Sequence, residues 1–175
     1  QTLLSPWEEE AKEKGESKKD NPQSKKLKAG WVEKTLDELF VLKNGLNKSK
    51  EYFGFGVSIV NYMDVYNNPA IDNQSLKGKV SLSNSEIENY RVKKGDVFFT
   101  RTSETVDEIG LAAVYLKGDN AVVFSGFVLR ARPITTELNS NYLGYSLRSD
   151  DVRQQIIPKA SYTTRALINS TALKT

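Results

Sequence analysis

The stretch YRVKKGDVFFTRTSETVDEIGLAAVY, residues 90–115, decides the fold. Lys94-Gly95-Asp96 predicts a tight turn, because glycine accepts a positive φ and an aspartate side chain binds its own backbone. The apolar residues 97–99 then predict a strand that is buried on both faces. Gly110 opens a second strand that runs back into the core. These two strands are predicted to form the centre of the domain.

Four polar residues follow the central strand where it gives way to a loop. Thr100, Arg101, Thr102 and Ser103 provide hydroxyl and guanidinium donors, which suit phosphates or the edges of nucleic-acid bases. A solvated hairpin loop would show the same residues. On this stretch alone the two interpretations are equally favoured.

The composition excludes several classes of chemistry. The chain has 175 residues, no cysteine and no histidine. A disulfide framework, a thiolate nucleophile, a Ser-His-Asp triad and a histidine-carboxylate iron site are therefore excluded. The lack of cysteine favours a cytoplasmic protein, and no apolar stretch is long enough to cross a membrane. The net charge of +3 does not by itself indicate a nucleic-acid ligand.

The length suggests one domain with an appendage. Residues 8–28 alternate Glu and Lys and contain only Ala11 and Leu27 as apolar residues, so residues 1–29 are predicted to form a charged linker or arm that is partly helical or disordered. Residues 30–175 are predicted to form the folded domain. Its fold class is predicted to be α+β, a strand-rich globular domain with a few short helices.

Local signals predict the elements before the central strand. Thr35 and Glu38 have the spacing of a capping box, which predicts a short helix through Phe40 that ends before Asn44-Gly45. Residues 57–65 predict a strand that leads into a turn. Ser83 is expected to cap one helical turn before the central strand.

Further elements are predicted after it. Residues 118–120 predict a hairpin turn into a strand at 121–124, and Ser125-Gly126 predicts a bulge or kink before a strand at 127–132. Arg130 and Arg132 are expected to lie on a partly exposed face of that strand. Two helices follow, the first capped by Asn139 or Ser140 and the second by Ser149, and Pro158 ends the second.

Two further segments carry side chains that suit a phosphate or a base. A polar loop contains Lys48 and Lys50, and residues 161–165 combine three hydroxyls, an aromatic ring and an arginine. No residue is predicted to be catalytic or to bind a metal. The candidate DNA-binding residues are Lys48, Lys50, Arg101, Thr102, Ser103, Ser161, Tyr162, Thr163, Thr164 and Arg165.

Four motifs over residues 30–175 together resemble a known family. They are Gly30-Trp31 with Leu39-Phe40, the strand at 94–101, Tyr142-Leu143 with Leu147-Arg148-Ser149, and the loop at 161–165. In this order they resemble the target recognition domain of the DNA specificity (S) subunit of type I restriction–modification systems. The resemblance implies a non-catalytic module that reads one half of a bipartite DNA target and positions the methyltransferase and restriction subunits.

The same resemblance sets the expected partners and cofactors. It implies double-stranded DNA, a methyltransferase subunit and a restriction subunit as partners, and no membrane. A second recognition domain, or a homodimer, would allow both halves of the bipartite DNA target to be read. The chain is expected to bind no cofactor itself, because S-adenosylmethionine would be held by the methyltransferase subunit. Since one such domain is present, the sequence is interpreted as a fragment, a half-subunit or part of a fusion.

Within the resemblance, Lys48 and Arg165 are expected to contact phosphates. Arg101, Ser103, Tyr162 and Thr164 are expected to contact base edges. Two alternatives remain open at this point. The chain is a non-catalytic protein-interaction scaffold, or it is the recognition domain of a fused restriction–methylation enzyme.

Overall fold

The computed structural model describes residues 29–30, 32–118, 120–136, 138–162 and 164–174. The chain divides between Glu33 and Lys34, and the account below concerns the unit that begins at Lys34. Most of the predicted arm lies outside the described residues, so the arm and the domain boundary at residue 30 stay predictions. The described unit combines mixed sheets with short helices, which confirms the predicted α+β class.

A five-stranded sheet forms the centre of this unit, with strand order β1-β9-β5-β7-β3. Neighbours are antiparallel except β7 and β3, which run parallel. Its strands are β1 (Phe40–Asn44), β3 (Ala70–Asp72), β5 (Val97–Thr100), β7 (Ala112–Lys117) and β9 (Val128–Pro133).

The middle strand, β5, is fully buried on both faces, as the sequence predicts. Val97 and Phe99 pack into a core with the helical residues Leu143 and Ile156. Phe98 packs into a second core on the opposite face of the sheet. The predicted turn before β5 is also present, because Gly95 has φ 88° and the Asp96 carboxylate accepts the Lys93 N–H at 2.8 Å. The turn thus fixes where this buried strand begins.

Two three-stranded sheets flank the central one. The first has the order β4-β2-β8, with β2 (Phe53–Val60), β4 (Lys79–Val80) and β8 (Val122–Phe124). The predicted hairpin between β7 and β8 is wrong, because β8 leaves the central sheet and pairs in parallel with β2. The second has the order β10-β11-β6, with β6 (Thr102–Ser103), β10 (Ser161–Tyr162) and β11 (Ala166–Leu167).

Short helices connect and cover the sheets. The Thr35–Glu38 and Ser83–Glu86 capping boxes are both formed, as predicted. Asn139 caps the helix that follows it, and Ser149 is the N-cap residue of the next one. The helices are α1 (Leu36–Leu39), α2 (Tyr62–Asn67), α3 (Asn84–Tyr90), α4 (Ser140–Ser146), α5 (Asp150–Ile156) and α6 (Ser170–Lys174), with 3-10 turns at Lys50–Tyr52, Val106–Glu108 and Ile157–Lys159.

Two element predictions are corrected by the structure. The first helix ends at Leu39, and Phe40 already begins β1, so the helix does not continue through Phe40. The segment predicted to continue as a strand to residue 65 forms α2 instead. Its start is a capping box in which the Asp64 carboxylate accepts the Asn61 N–H at 2.8 Å.

The face of β9 that carries two arginines is partly exposed at Arg132, whose side chain is 28% exposed, as predicted, but it is buried at Arg130. Arg130 is 5% exposed and its guanidinium lies 5.2 Å from the ring centroid of Phe124. Arg132 donates to both carboxylate oxygens of the fully buried Asp96, at 2.8 and 2.7 Å. Arg132 therefore compensates the buried Asp96 carboxylate, which would be costly to leave without a paired cation.

Candidate functional site

Main-chain pairing joins the two predicted polar segments, although about 60 residues separate them. Thr102 and Ser103 of β6 pair antiparallel with Leu167 and Ala166 of β11. The next main-chain bond runs from the Ile168 N–H to the Arg101 carbonyl oxygen, at 2.9 Å. Strand β11 also pairs with β10, which carries Ser161 and Tyr162. The loop after β5 and the segment 161–167 thus form one small sheet.

The β10–β11 side of this sheet presents exposed polar groups. Tyr162 is 59% exposed, and Ser161 and Thr164 are exposed beside it. The Arg165 guanidinium is also exposed and lies 3.8 Å from Glu104, an ion pair in water that contributes little to stability. Thr163 lies outside the described residues. These side chains are available to a ligand that approaches the sheet.

Arg101 lies beside the same sheet, and its guanidinium has fewer hydrogen-bond partners than donors. Its Nη1 donates to the Gly126 carbonyl oxygen at 3.5 Å, at the limit of a hydrogen bond. Its Nε is buried and has no hydrogen-bond partner among the described residues. A guanidinium offers five N–H donors, and a buried donor without a partner costs free energy. The buried Nε is out of reach of an external ligand, and Arg101 is half-buried overall, so the accessible part of its guanidinium is what a ligand could contact.

Ser103 is engaged inside the protein. It is 7% exposed, and its hydroxyl donates to the Glu108 carboxylate. The hydroxyl also accepts the Thr105 N–H at 3.4 Å. The predicted contact of Ser103 with DNA stays a prediction, and Glu108 is the polar group that this serine positions.

Glu108 is a candidate residue that the sequence reasoning missed. Its Oε2 accepts the Ser103 hydroxyl and the Tyr62 hydroxyl, the latter at 3.0 Å. These hydrogen bonds, from Ser103 first and Tyr62 second, lower the pKa of the Glu108 carboxyl below its usual value. Tyr62 lies 46 residues away in α2, so no local pattern in the sequence indicates the contact.

A cleft of about 280 Å³ opens at this cluster. Thr102 and Arg165 line it, so predicted residues from both segments share one concave surface with Glu108. The described residues that line it are Tyr62, Thr102, Ser103, Glu104, Thr105, Glu108 and Arg165.

The two lysines predicted to bind phosphate differ in their surroundings. The Lys48 ammonium lies 2.6 Å from Glu86 and 4.7 Å from the ring centroid of Tyr52. The hydrogen bond to Glu86 raises the pKa of Lys48, and the Lys48 ammonium is the main cause that lowers the pKa of Glu86 to about 2. Lys50 is exposed, and no acid pairs with it among the described residues. Of the two lysines, Lys50 is therefore the one whose charge is more available to a phosphate.

The loop with these lysines and the Arg101 segment are bound to the same turn at residues 125–127. The Gly126 N–H donates to the Leu46 carbonyl oxygen at 2.7 Å, and the Arg101 N–H donates to the Phe127 carbonyl oxygen at 3.1 Å. Phe127 itself is 60% exposed. The turn thus links the lysine loop to the β6–β11 pair.

Two further findings, on metal binding and on membrane spans, concern the described residues only. They contain no cluster of three or more His, Cys, Asp or Glu side chains arranged to hold a metal ion. None of their helices has the length and apolar character needed to span a bilayer.

Sequence comparisons give no match, and structure comparisons give a consistent one. No protein-family model and no curated protein matches the sequence. The structure is similar to the S subunit of a type I restriction–modification system from M. genitalium, with a TM-score of 0.52 and 18% identity over 81% of this chain and 32% of that one. It is also similar to the HsdS subunit from Thermoanaerobacter tengcongensis, with a TM-score of 0.54 and 18% identity over 87% and 34%.

A third similar structure was solved to explain complex assembly and conformational transition of the type I R-M system. It has a TM-score of 0.56 and 16% identity over 88% of this chain and 35% of that one. At these identities the likeness is one of fold. This chain spans about a third of the length of these solved chains, and the predicted resemblance in fold to type I specificity subunits is confirmed.

Proposed function

We propose that this chain, which shares the fold of type I restriction–modification S subunits, is a sequence-specific DNA-binding module. It would read one half of a bipartite target and position the methyltransferase and restriction subunits, and S-adenosylmethionine would be held by the methyltransferase. The chain's own contribution is specificity, and catalysis is left to the partners. The observation that most supports this role is the β6–β11 pairing, which unites the two segments predicted to contact DNA.

Arg101 is the proposed base reader. It follows a fully buried strand, so its backbone is held rigidly, and its half-buried side chain leaves part of the guanidinium accessible beside the paired segment. An arginine binds guanine O6 and N7 through two parallel hydrogen bonds, each good pair giving about 1–3 kcal/mol of discrimination. Tyr162, Thr164 and Arg165 lie exposed on the paired segment and complete the contact surface.

Phosphate contacts would add affinity without adding sequence preference. Lys50 is proposed for this role because it is exposed and has no acidic partner among the described residues. Lys48 would first have to release Glu86, from which its ammonium lies 2.6 Å. Its contribution to binding is therefore smaller than its charge suggests.

The test is selection of bound duplexes from a randomised library at low salt, followed by sequencing. Wild type should enrich a defined half-site, and Arg101→Ala should lose the preference at one or two positions of it. Lys50→Ala should instead weaken all duplexes alike and reduce the salt slope of log K by about 0.9. Lys117→Ala is the matched control, because Lys117 lies at the opposite end of β7 from the loop that follows β5. If wild type enriches no sequence, the proposed function is wrong.

A protein-interaction role is the second candidate, and exposed aromatic side chains favour it. Tyr52 is 42% exposed, Phe53 38% and Phe55 59%, all within four consecutive residues. Aromatic residues are enriched in protein interfaces. A scaffold would bind a methyltransferase subunit without any sequence-dependent shift of DNA, and a gel-shift titration with that subunit added separates the two roles.

A further inference from the structure

Glu108 lies in the loop between β5 and β7. Hydrogen bonds from elsewhere in the protein hold the backbone of this loop at Glu108 and at the residue on each side. The Thr100 hydroxyl donates to the Glu108 carbonyl oxygen at 2.6 Å. The guanidinium of Arg153, which is 8% exposed, donates to the carbonyl oxygens of Asp107 and Ile109. Three consecutive carbonyl groups are thus bound from within the protein. Such support restrains the backbone from which the Glu108 side chain projects.

The carboxylate of Glu108 is oriented as firmly as its backbone. Ser103 and Tyr62 both donate to Oε2, from β6 and α2 respectively. Helix α2 is itself anchored, because Arg148 donates to the carbonyl oxygens of Val65 and Tyr66 at 2.8 and 2.6 Å. The donors that orient Glu108 therefore belong to rigid elements.

A carboxylate in this position is costly for a surface that binds DNA. It lies in the same cleft as Thr102 and Arg165, and any approaching phosphate would be repelled by it. A mere loop fastener would need only a neutral acceptor. The anion is compensated if it meets a hydrogen-bond donor on the DNA, and in the major groove such donors are the exocyclic amines of cytosine and adenine.

We propose, resting on the function proposed above, that Glu108 accepts a hydrogen bond from cytosine N4 in the major groove and selects cytosine at one position of the target. Guanine presents only the acceptors O6 and N7 there, and thymine presents the acceptor O4, so both repel a carboxylate. Adenine places the acceptor N7 beside its amine, whereas cytosine presents the amine alone. Cytosine is therefore the base that fits the anion best.

The test compares the full chain with Glu108→Gln in the same randomised duplex library. The substitution keeps an oxygen that accepts the Ser103 and Tyr62 hydroxyls, so the loop should retain its conformation, and thermal unfolding checks this. Removing the charge should reduce the preference for cytosine at one position by about fivefold or more, since a good base contact gives about 1–3 kcal/mol. Glutamine pairs with adenine N6 and N7, so adenine should gain at that position.

Two variants complete the design. Asp107→Asn is the matched control, because it removes an exposed carboxylate from the same loop at a residue that is not among those lining the cleft, and it should leave the selected sequence unchanged. Glu108→Asp keeps the charge but withdraws it by one methylene, so it should lose the cytosine preference too, and it decides the question if Glu108→Gln does not fold.

The outcomes separate the two proposals. If wild type selects a half-site and the folded Glu108 variants select the same one with equal preference at every position, this inference is overturned while the proposed function stands. If wild type selects nothing, the proposed function fails first. Loss of the cytosine preference in the Glu108 variants alone, with Asp107→Asn unchanged, supports the inference.

Discussion

Replacing Thr100 by valine tests how the loop after β5 is held. Thr100 is fully buried, and its hydroxyl donates to the Glu108 carbonyl oxygen at 2.6 Å and accepts the Leu111 N–H at 2.9 Å. Valine has nearly the same shape and remains suited to a strand, so packing is kept and only the two hydrogen bonds are lost. The main-chain bonds between Thr100 and both Gly110 and Leu111 remain.

The expected cost follows from the groups left without this partner. A buried polar group that loses its hydrogen bond costs about 1–3 kcal/mol, and one carbonyl and one N–H are affected here. The free energy of unfolding, measured by urea denaturation, should therefore fall by about 3 kcal/mol. Because Glu108 loses one of its backbone supports, the preference for cytosine in selected DNA should also weaken.

The control for this prediction is Thr136→Val, which changes an exposed threonine and should alter the free energy of unfolding by no more than about 0.5 kcal/mol. A loss of less than about 1 kcal/mol in Thr100→Val would refute the reasoning, because the two bonds would then contribute nothing beyond what water supplies.

Three further predictions concern the scaffold. Gly56→Ala should destabilise the protein by more than Gly54→Ala in urea denaturation, because both glycines have positive φ but only at Gly56 would the Cβ lie 2.4 Å from a main-chain oxygen of β4. Asp96→Asn should cost about 3 kcal/mol in the same assay, since it leaves the Arg132 guanidinium without its buried counter-ion, and a loss below about 1 kcal/mol would contradict this. The pKa of Glu86 is lowered to about 2, so its ion pair with Lys48 stabilises the fold above the usual carboxyl pKa and is lost as pH falls toward 2. The melting temperature of Glu86→Gln should therefore approach that of wild type on acidification. A difference in melting temperature that stays constant with pH would exclude the ion pair as the cause.

Local signals predicted the parts of the fold that depend on neighbouring residues. The Ser83–Glu86 capping box and the Lys94–Gly95 turn form as their spacing indicates. The same kind of signal was present at Asn61 and Asp64 but was outweighed by the strand-favouring residues around it, and helix α2 was missed. Capping chemistry was the better guide there because it satisfies main-chain groups at the helix start.

Pairing over long distances escaped the sequence reasoning. The turn at 118–120 predicted a hairpin, yet β8 pairs with β2, because a turn fixes a change of direction and not the strand that receives the chain. The two arginines of β9 carry charge, which predicted exposure, but Asp96 and Phe124 provide partners inside the protein. The buried surroundings of charged side chains depend on contacts that no local pattern contains.

For the candidate site, the sequence identified the segments but not the contacts between their side chains. Arg101 and Arg165 were chosen by residue type, and the β6–β11 pairing brings their segments together. Glu108 is not predicted, since it is one of three acids in its loop, with Glu104 and Asp107, and such acids resemble any solvated charge. Its orientation arises from Ser103, Tyr62 and the backbone supports, which only the folded chain assembles.

Strands β6, β10 and β11 are each two residues long, whereas β5 beneath them lies wholly in the interior. The small sheet is tied to the interior through Ala166, which is buried in the same core as Val97 and Phe99, while its exposed side chains lie in β10 and the turn after it. Substitutions at Ser161, Tyr162, Thr164 and Arg165, all on the outside, would change the exposed surface and leave the interior intact. A lineage carrying this architecture can vary that surface by drift at a few positions, without passing through unstable intermediates.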